Sequence, residues 1–557
     1  MRCLQQGRTV ECEHCTLQHT DWSAMASSGK SPLRKQAERR SRDAESAKRE
    51  KAVVAQAQEA DSGKHPDGFL AHLNLKPIWF FIAFAALIGV MFIPTGDDLT
   101  LAGKMGLAVL AFAIVMWVTE AVTYTVSSIL IVGIITVMLS FAPALDGESS
   151  EAMGTTESIK LALSGFSSAA VALVAAALAL AAAMQATGLH KRLALLVLKV
   201  AGEKTSSVLI GAIVISTILA FFVPSATARA GAVVPILLGM VAAFGLPTNS
   251  RLGALLIITA AQAVSIWNVG IKTAAAQNLV ATGFIETSMG QSISWGQWFM
   301  WAAPWSVLMS SALFFIMRRV IKPEVDHIQG GRAVVEKELA ELGPITGKEI
   351  RLVIVAVCLL FLWATEEVLH PFSSATVTIV AIGFLLLPRV GVFSWKTAEK
   401  LINWGTLIVF AVGISLGSLL LNTGAATWLS EKTFGALGVT DMPMLAMIAL
   451  VGIFTILIHL GFASATSLSS ALIPVFIALA QSIPGAAGGG IGFVIIQQFL
   501  ICFGFLLPIS APQNMLAYGT GAFTAKQFLK SGIPITIVGY LLVLLLSATY
   551  WKWIGLV

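Results

Sequence analysis

Charge is the scarcest thing in this sequence: 12% of its 557 residues are Asp, Glu, Lys or Arg, against about 25% in an ordinary soluble domain. A chain so poor in charge and 56% hydrophobic cannot cover a globule of its size with polar surface, which excludes a soluble fold for most of it. Cysteine is also sparse. Three of the five lie in the first 15 residues, where Cys12 and Cys15 form one C-x-x-C without a second pair. A structural zinc site takes four ligands, so no metal and no cofactor is expected. His, Cys, Asp and Glu do not cluster inside the apolar runs, which argues against a membrane-embedded enzyme. No apolar stretch precedes Trp79, so a cleaved secretory signal is not expected.

What the chain has in quantity is apolar runs near 20 residues, each about enough to cross a ~30 Å hydrocarbon core as a helix. They fall at 78–94, 104–119, 123–142, 161–187, 252–284, 297–317, 350–369, 373–388, 404–421, 490–510 and 533–550. The expected fold is therefore an all-α polytopic membrane protein with about eleven transmembrane helices. Apolar segments at 205–243 and 442–480 are left over and read as re-entrant hairpins. Residues 1–75 are of another kind: between Lys30 and Lys51 stand nine Lys/Arg and four Asp/Glu. They read as a basic cytoplasmic tail, loosely helical or without fixed structure, solvated or lying on anionic headgroups. The tail is too acidic for a transit peptide and implies no nucleic-acid partner. Met25-Ala26-Ser27-Ser28 reads as an alternative start.

The runs are duplicated. Ser225-Ala226-Thr227 and Ser464-Ala465-Thr466 stand 239 residues apart, and Pro235 and Pro474 each follow their serine by ten positions. Trp117-Val118-Thr119-Glu120 answers Trp363-Ala364-Thr365-Glu366 at 246, and Ser127-Ser128 answers Ser373-Ser374 at the same spacing. Thr187-Gly188 answers Thr423-Gly424 at 236, as Gln277-Asn278 and Gly283 answer Gln513-Asn514 and Gly519. The expected organisation is a first span plus first repeat over 76–320, a cytoplasmic linker over 321–348, and a second repeat over 349–557. Orientation follows from Lys and Arg near span ends. The tail, His190-Lys191-Arg192 and Arg318-Arg319 mark the inside, and the acidic loop Asp146 to Glu151 marks the outside. The second repeat then starts from the side opposite to the first. The repeats are inverted, and the two Ser-Ala-Thr phrases approach from opposite faces, as in secondary transporters with a midplane site.

Non-helical backbone at membrane depth is tolerated only where protein or water covers it. Phe222-Val223-Pro224-Ser225 is such a break, because Pro lacks a donor and disfavours helix just before it. Ser225 or Thr227 suits the N-cap of the helix that follows, whose free amides and dipole favour an anion. An isolated Ser-Ala-Thr is usually a hydroxyl bonded to its own helix or a neighbour; recurrence at matched sites favours a binding role. Gln277-Asn278 and Gln513-Asn514 sit inside apolar runs, where an unsatisfied amide costs several kcal/mol, and read as the opposite wall. Arg229, Lys272 and His459 stand near the breaks and are candidates for charge compensation. Glu120, Glu366 and Glu367 stand at span ends and no carboxylate chain crosses the runs, so an anionic substrate is expected and a proton-relay cation antiporter is not.

The chain resembles the divalent anion/sodium symporter family, carriers of dicarboxylates, citrate and sulfate. The resemblance covers about 75–557. It rests on W-V-T-E at 117–120, S-G-F at 164–166, T-G-L-H-K-R-L-A-L at 187–195 and S-A-T-A-R-A-G at 225–231, with G-F-A-S-A-T at 461–466, A-P-Q-N-M-L-A-Y-G-T at 511–520 and Y-W-K-W at 550–553. It implies eleven spans, two re-entrant hairpins, a homodimer in contact with membrane lipid, and an elevator motion in the plasma membrane with the N-terminus cytoplasmic. It implies substrate binding by Ser225, Thr227, Ser464 and Thr466, to which the residue reading adds Asn278 and Asn514. Cation binding falls to Ser225, Ala226, Ala274, Ser464, Ala465 and Ser510, with sodium as the co-transported ion. The family's Ser-Asn-Thr is Ser-Ala-Thr here, so both amides are missing. The T-A-R-A-G wording is similar to the branch of citrate and oxoglutarate/malate exchangers, in which a fixed positive charge can replace a bound cation. The expected function is secondary active transport of small divalent organic anions, sodium-coupled; the alternatives are sodium-independent exchange, or carriage of sulfate or another inorganic oxyanion.

Overall fold

The computed structural model describes residues 76–96, 98–144, 151–483 and 490–557; the tail, Cys12, Cys15, Met25 and most of the acidic loop lie outside them. Among the described residues there is no strand, and every regular element is helical. The first half comprises α1 (Lys76–Phe92), α2 (Leu101–Thr119), α3 (Tyr124–Leu139), α4 (Gly154–Ala162), α5 (Ala169–Thr187), α6 (Leu189–Ala201), α7 (Thr205–Phe222), α8 (Ala226–Ala243), α9 (Arg251–Gly270), α10 (Ala276–Met289) and α11 (Trp295–Val320). The charged connection carries α12 (Gly331–Leu342). The second half comprises α13 (Gly347–Ala364), α14 (Ser374–Leu386), α15 (Trp395–Leu401), α16 (Trp404–Asn422), α17 (Ala425–Ser430), α18 (Met444–His459), α19 (Ala465–Gln481), α20 (Ile491–Ile501), α21 (Pro512–Gly519), α22 (Ala525–Ala548) and α23 (Tyr550–Trp553). Eight of the helices are long and apolar enough to cross a membrane.

The duplication extends to the devices that start and stop helices. Gly188 and Gly424 take the left-handed conformation (φ 74° and 71°) that ends α5 and α16, which glycine adopts without a Cβ clash. Ser294 with Gln297 and Thr524 with Gln527 form capping boxes that open α11 and α22. Pro304 and Pro534 lie at the same depth inside those helices. The two hairpins, α7–α8 and α18–α19, have Pro235 and Pro474 inside their return helices.

Three runs expected to be continuous are interrupted. The run 161–187 breaks at Ser164–Ser167 before α5, 252–284 splits into α9 and α10 around a tight turn at Lys272–Ala274, and 490–510 is helical only as α20, followed by a turn at Pro508–Ser510 that leads into α21. The connection expected as a plain linker holds α12, because Ala333-Val334-Val335-Glu336-Lys337-Glu338-Leu339 is made of residues compatible with helix. Every residue of α9 from Leu252 to Gly270 is buried, its polar side chains Thr259, Gln262, Ser265 and Asn268 included. In lipid the helices gain little from leaving hydrocarbon, so close packing decides. Gly413 and Gly417 on α16 supply it. A Cβ on Gly413 would stand 2.2 Å from Ser470 Oγ, and one on Gly417 2.3 Å from the Phe284 ring, so these glycines let α19 and α10 lie directly on α16. The half-helices after the breaks pack crosswise: α10 on α19 of the second half, and α21 on α8 of the first.

Candidate functional site

Each hairpin turns through a serine in extended conformation that caps the return helix. Ser225 (φ −144°, ψ 111°) accepts from the Ala228 amide at 3.3 Å, and Ser464 (φ −133°, ψ 113°) from the Ser467 amide at 3.2 Å. The first turn follows Pro224; the second tightens α18 by three consecutive i→i−3 bonds, Leu460 to Leu457, Gly461 to Ile458 and Phe462 to His459. Pro224 to Ala228 and Ala463 to Thr466 are half-buried, whereas Arg229 and Ser467 just beyond are buried. The two tips, with Thr227 and Thr466, thus stay accessible while their supports do not.

The breaks are stapled by asparagine. Asn278 and Asn514 are fully buried, and each Nδ2 donates to a carbonyl ten residues back, Asn268 O and Gly504 O, both at 2.7 Å. Asn278 also reaches the carbonyls of Ile271 (3.2 Å) and Lys272 (3.4 Å) at the interruption. Both residues expected as substrate ligands thus brace the breaks through their Nδ2 groups. Hydrogen bonds across the halves bring the two breaks together. Gln513 Nε2 donates to Ser265 Oγ (3.0 Å), Gln262 Nε2 to Phe505 O (3.0 Å) and Gln498 Nε2 to Asn278 Oδ1 (3.3 Å). The Ser469 hydroxyl lies 2.8 Å from Gln498 Oε1 and 3.2 Å from Gln277 O, and the Cys502 thiol donates to Asn278 Oδ1 at 3.5 Å.

The three expected cations separate. Arg229, fully buried, donates from Nη2 to the Ala274 carbonyl at 2.9 Å and to Asn268 Oδ1. His459, 2% exposed, lies on the second break, its Nε2 donating to the Ser510 carbonyl at 3.2 Å. Ala274 and Ser510 hold matching places in the two breaks, 236 residues apart. Lys272 does not join them: its ammonium turns to the Ile293 carbonyl in the approach to α11. Several buried polar atoms around the breaks have no protein partner: Arg229 Nε and Nη1, His459 Nδ1, Asn514 Oδ1, Gln262 Oε1, Ser467 Oγ and Ser470 Oγ. Leaving such a group unpaired costs about 1–3 kcal/mol.

Residues 75–557 match the model of the sodium:sulfate symporter transmembrane region. The chain belongs to that family. It is a multi-pass membrane transporter and not an enzyme. A protein of Cupriavidus necator named only as a membrane protein is 48% identical over 85% of this chain and 92% of its own. The citrate/succinate antiporter of Escherichia coli K12 is 27% identical over 84% and 96%. The sodium-dependent dicarboxylate transporter SdcS of Staphylococcus saprophyticus is 24% identical over 86% and 90%. The crystal structure of the Alcanivorax borkumensis YdaH transporter shares the fold at TM-score 0.51 and 14% identity, over 80% of this chain and 99% of that one.

Within this symporter-family chain, sequence reasoning passed over Asn268, Gln262, Gln498, Ser469 and Cys502. A signal for two of them was present, since Gln262 and Gln498 are 236 residues apart, the spacing of the Gln-Asn pairs. At that spacing Asn268, Ser469 and Cys502 fall opposite Gly504, Val233 and Ile266, so their side chains have no match in the duplicate and gave none.

Proposed function

We propose that this protein is a secondary carrier that exchanges one small divalent organic anion, a C4-dicarboxylate or citrate-like species, for another across the plasma membrane. The observation that carries the reading is the seating of Arg229 and His459 on the Ala274 and Ser510 carbonyls. The sequence reading counted Ala274 and Ser510 among the cation ligands. A guanidinium already donates to one and an imidazole to the other, so fixed donors stand where a mobile cation would coordinate. Four helix N-termini, of α8, α10, α19 and α21, add their free amides and dipoles in favour of an anion. Ser225, Thr227, Ser464 and Thr466 offer hydroxyls at the two accessible tips.

Energetics favour exchange as well. A dianion moving alone meets about 2.3 kcal/mol per charge per 100 mV, whereas swapping equal charges costs nothing against the potential. The citrate/succinate antiporter among the relatives supports this reading. Sodium symport is the second reading, supported by the Ser225–Ala226 and Ser464–Ala465 backbone, which needs no side chain to bind a cation, and by the sodium-dependent relative. On either reading the hairpins enter from opposite faces, the N-terminus is cytoplasmic, the unit is a homodimer in lipid, and the tips move as an elevator.

Counterflow in proteoliposomes tests this. Labelled malate, succinate, citrate and sulfate are offered outside vesicles that are empty or preloaded with unlabelled malate, with and without sodium. Uptake that requires internal dicarboxylate and ignores sodium is expected. Uptake into empty vesicles driven by a sodium gradient overturns exchange in favour of symport, and sulfate as the preferred solute overturns the organic-anion assignment.

A further inference from the structure

The connection between the halves is charged, and its first part is tied to the first half: to the start of α9, to the start of α7 and, through α12, to α6 and α8. At its start, Glu324 accepts from the amides of Arg251 (2.6 Å) and Leu252 (2.8 Å), capping α9. Thr205, the first residue of α7, donates from its amide to Asp326 O (2.9 Å) and from its hydroxyl to Val325 O (2.8 Å). The Ile328 amide donates to Glu203 O (2.7 Å), and the Glu203 carboxylate accepts from the amide of Gly330 (3.2 Å). Helix α12 then lies over α6 and α8. Lys191 pairs with Glu338 at 2.6 Å and Lys199 with Glu336 at 3.7 Å, and Val334 Cγ1 would be 3.3 Å from a Cβ on Gly239.

The far end is built differently. Helix α12 stops at Gly343, whose φ of 67° is a conformation L side chains rarely adopt, and Pro344 follows. Arg192 of α6 wraps this joint. Its guanidinium donates to Gly343 O (3.0 Å), Leu342 O (3.4 Å) and Pro344 O (3.5 Å), and its Nε to Glu349 Oε1 (2.6 Å). Glu349 is 2% exposed and sits in the first turn of α13, where its carboxylate also accepts from the Thr346 amide at 2.7 Å. One buried ion pair thus joins a first-half helix to the opening of the second half, across a glycine joint.

We propose that Arg192 and Glu349 are positioning residues of the transport step: the 321–342 strap travels with the first hairpin as one body, and that body turns against α13 about the Gly343–Pro344 joint that Arg192 holds. This rests on the carrier reading above. A surface ion pair would be weak and replaceable. A buried pair that loses one partner strands the other charge, so the joint tolerates rotation but not removal.

Two experiments separate this from its alternatives. In malate counterflow, Arg192→Gln and Glu349→Gln should lower the maximal rate at least about tenfold while half-saturation stays within about twofold, the mark of a step after binding. Arg192→Lys should recover part of the rate. An unchanged rate, or a shift confined to half-saturation, overturns the proposal. The second experiment needs no flux. With Cys3, Cys12, Cys15 and Cys358 replaced by Ser, spin labels are placed at Ala243→Cys and Lys337→Cys, or at Lys337→Cys and Lys396→Cys, in the full chain with and without malate. The hairpin-to-strap distance should keep one narrow population. The strap-to-second-half distance should show two, whose ratio changes with malate and with Arg192→Gln. Splitting of the first distance, or a second distance fixed under all conditions, overturns the single-body pivot. If the wild-type protein moves no anion at all, the carrier reading fails, and the label distances still decide the pivot.

Discussion

Replacing Arg229 by Met keeps an unbranched stem as far as the position of Nε and removes the guanidinium with its charge and donors. Two losses follow. The Ala274 carbonyl and Asn268 Oδ1, both buried, lose the guanidinium that bonds them, at about 1–3 kcal/mol for each group left unpaired. A substrate carboxylate bound at the tip of the first hairpin loses a fixed charge. At about 5 Å and an effective dielectric of about 20, that attraction is about 3 kcal/mol, or roughly a hundredfold in affinity. The first loss falls on the unliganded carrier and lowers its thermal midpoint; the second falls on binding. Malate counterflow in sodium-free proteoliposomes reads the second, and the thermal midpoint in detergent reads the first. Half-saturation should rise by one to two orders of magnitude. Because the variant frees the Ala274 carbonyl, sodium should now stimulate a transport that ignored it before. A variant whose half-saturation stays within about twofold of wild type and remains indifferent to sodium refutes the claim that Arg229 stands in for a cation.

Thr227→Val and Thr466→Val each preserve volume and delete one tip hydroxyl, and should weaken substrate binding about ten- to a hundredfold, from about 1–3 kcal/mol for a partner left unpaired; unchanged half-saturation in both would remove the tips from the site. Gly417→Ala places a methyl 2.3 Å from the Phe284 ring and 2.7 Å from Pro474 Cγ, which should cost about 1–3 kcal/mol of stability by overpacking, seen as a lower thermal midpoint in detergent. Burial acts to raise the Glu324 carboxyl, but hydrogen bonds from the amides of Arg251 and Leu252 and the Arg251 charge outweigh it and hold the group below its ordinary 4.5. Its contribution is complete above that value and is lost as pH falls through the lower folded one, so acidification should lower the thermal midpoint of wild type more than that of Glu324→Gln.

Local chemistry is what made part of this molecule legible. A proline or glycine beside Ser-Ala-Thr ends one helix and caps the next within a few residues, so both hairpin turns could be read directly. The interruptions at Lys272–Ala274 and Pro508–Ser510 could not be placed, because Ile271, Ala274 and Ala275 are as compatible with an apolar helix as the residues around them. Burial of Asn278 and Asn514 was expected, but not the reason for it. Each amide serves a carbonyl ten residues back across a break in the helix, where no helical period carries over. The bonds from Gln513 to Ser265 and from Gln498 to Asn278 are single contacts between halves, and a single contact leaves no pattern in sequence.

The two donors at the breaks show what duplication can and cannot predict. Matched places in the repeats bind matched groups where the backbone does the work: Ser225 and Ser464 cap, Asn278 and Asn514 staple, and Ala274 and Ser510 present carbonyls. Arg229 and His459 are not matched. At the hairpin spacing of 239 residues the counterpart of Arg229 is Leu468, and that of His459 is Ala220. One donor comes from the first turn of a return helix and the other from the last turn of a lead-in helix. Two carbonyls inherited as a pair have thus received donors independently, from opposite ends of their hairpins. Had the donors served only to shape each fold half, the duplicated positions would have sufficed for both. Their arrival by different routes at equivalent oxygens is what a shared demand for a hydrogen-bond donor at those two points would produce; on the exchange reading proposed above, Arg229→Met and the corresponding His459→Leu each free one carbonyl and should each raise sodium dependence in counterflow, although the repeat spacing does not pair them.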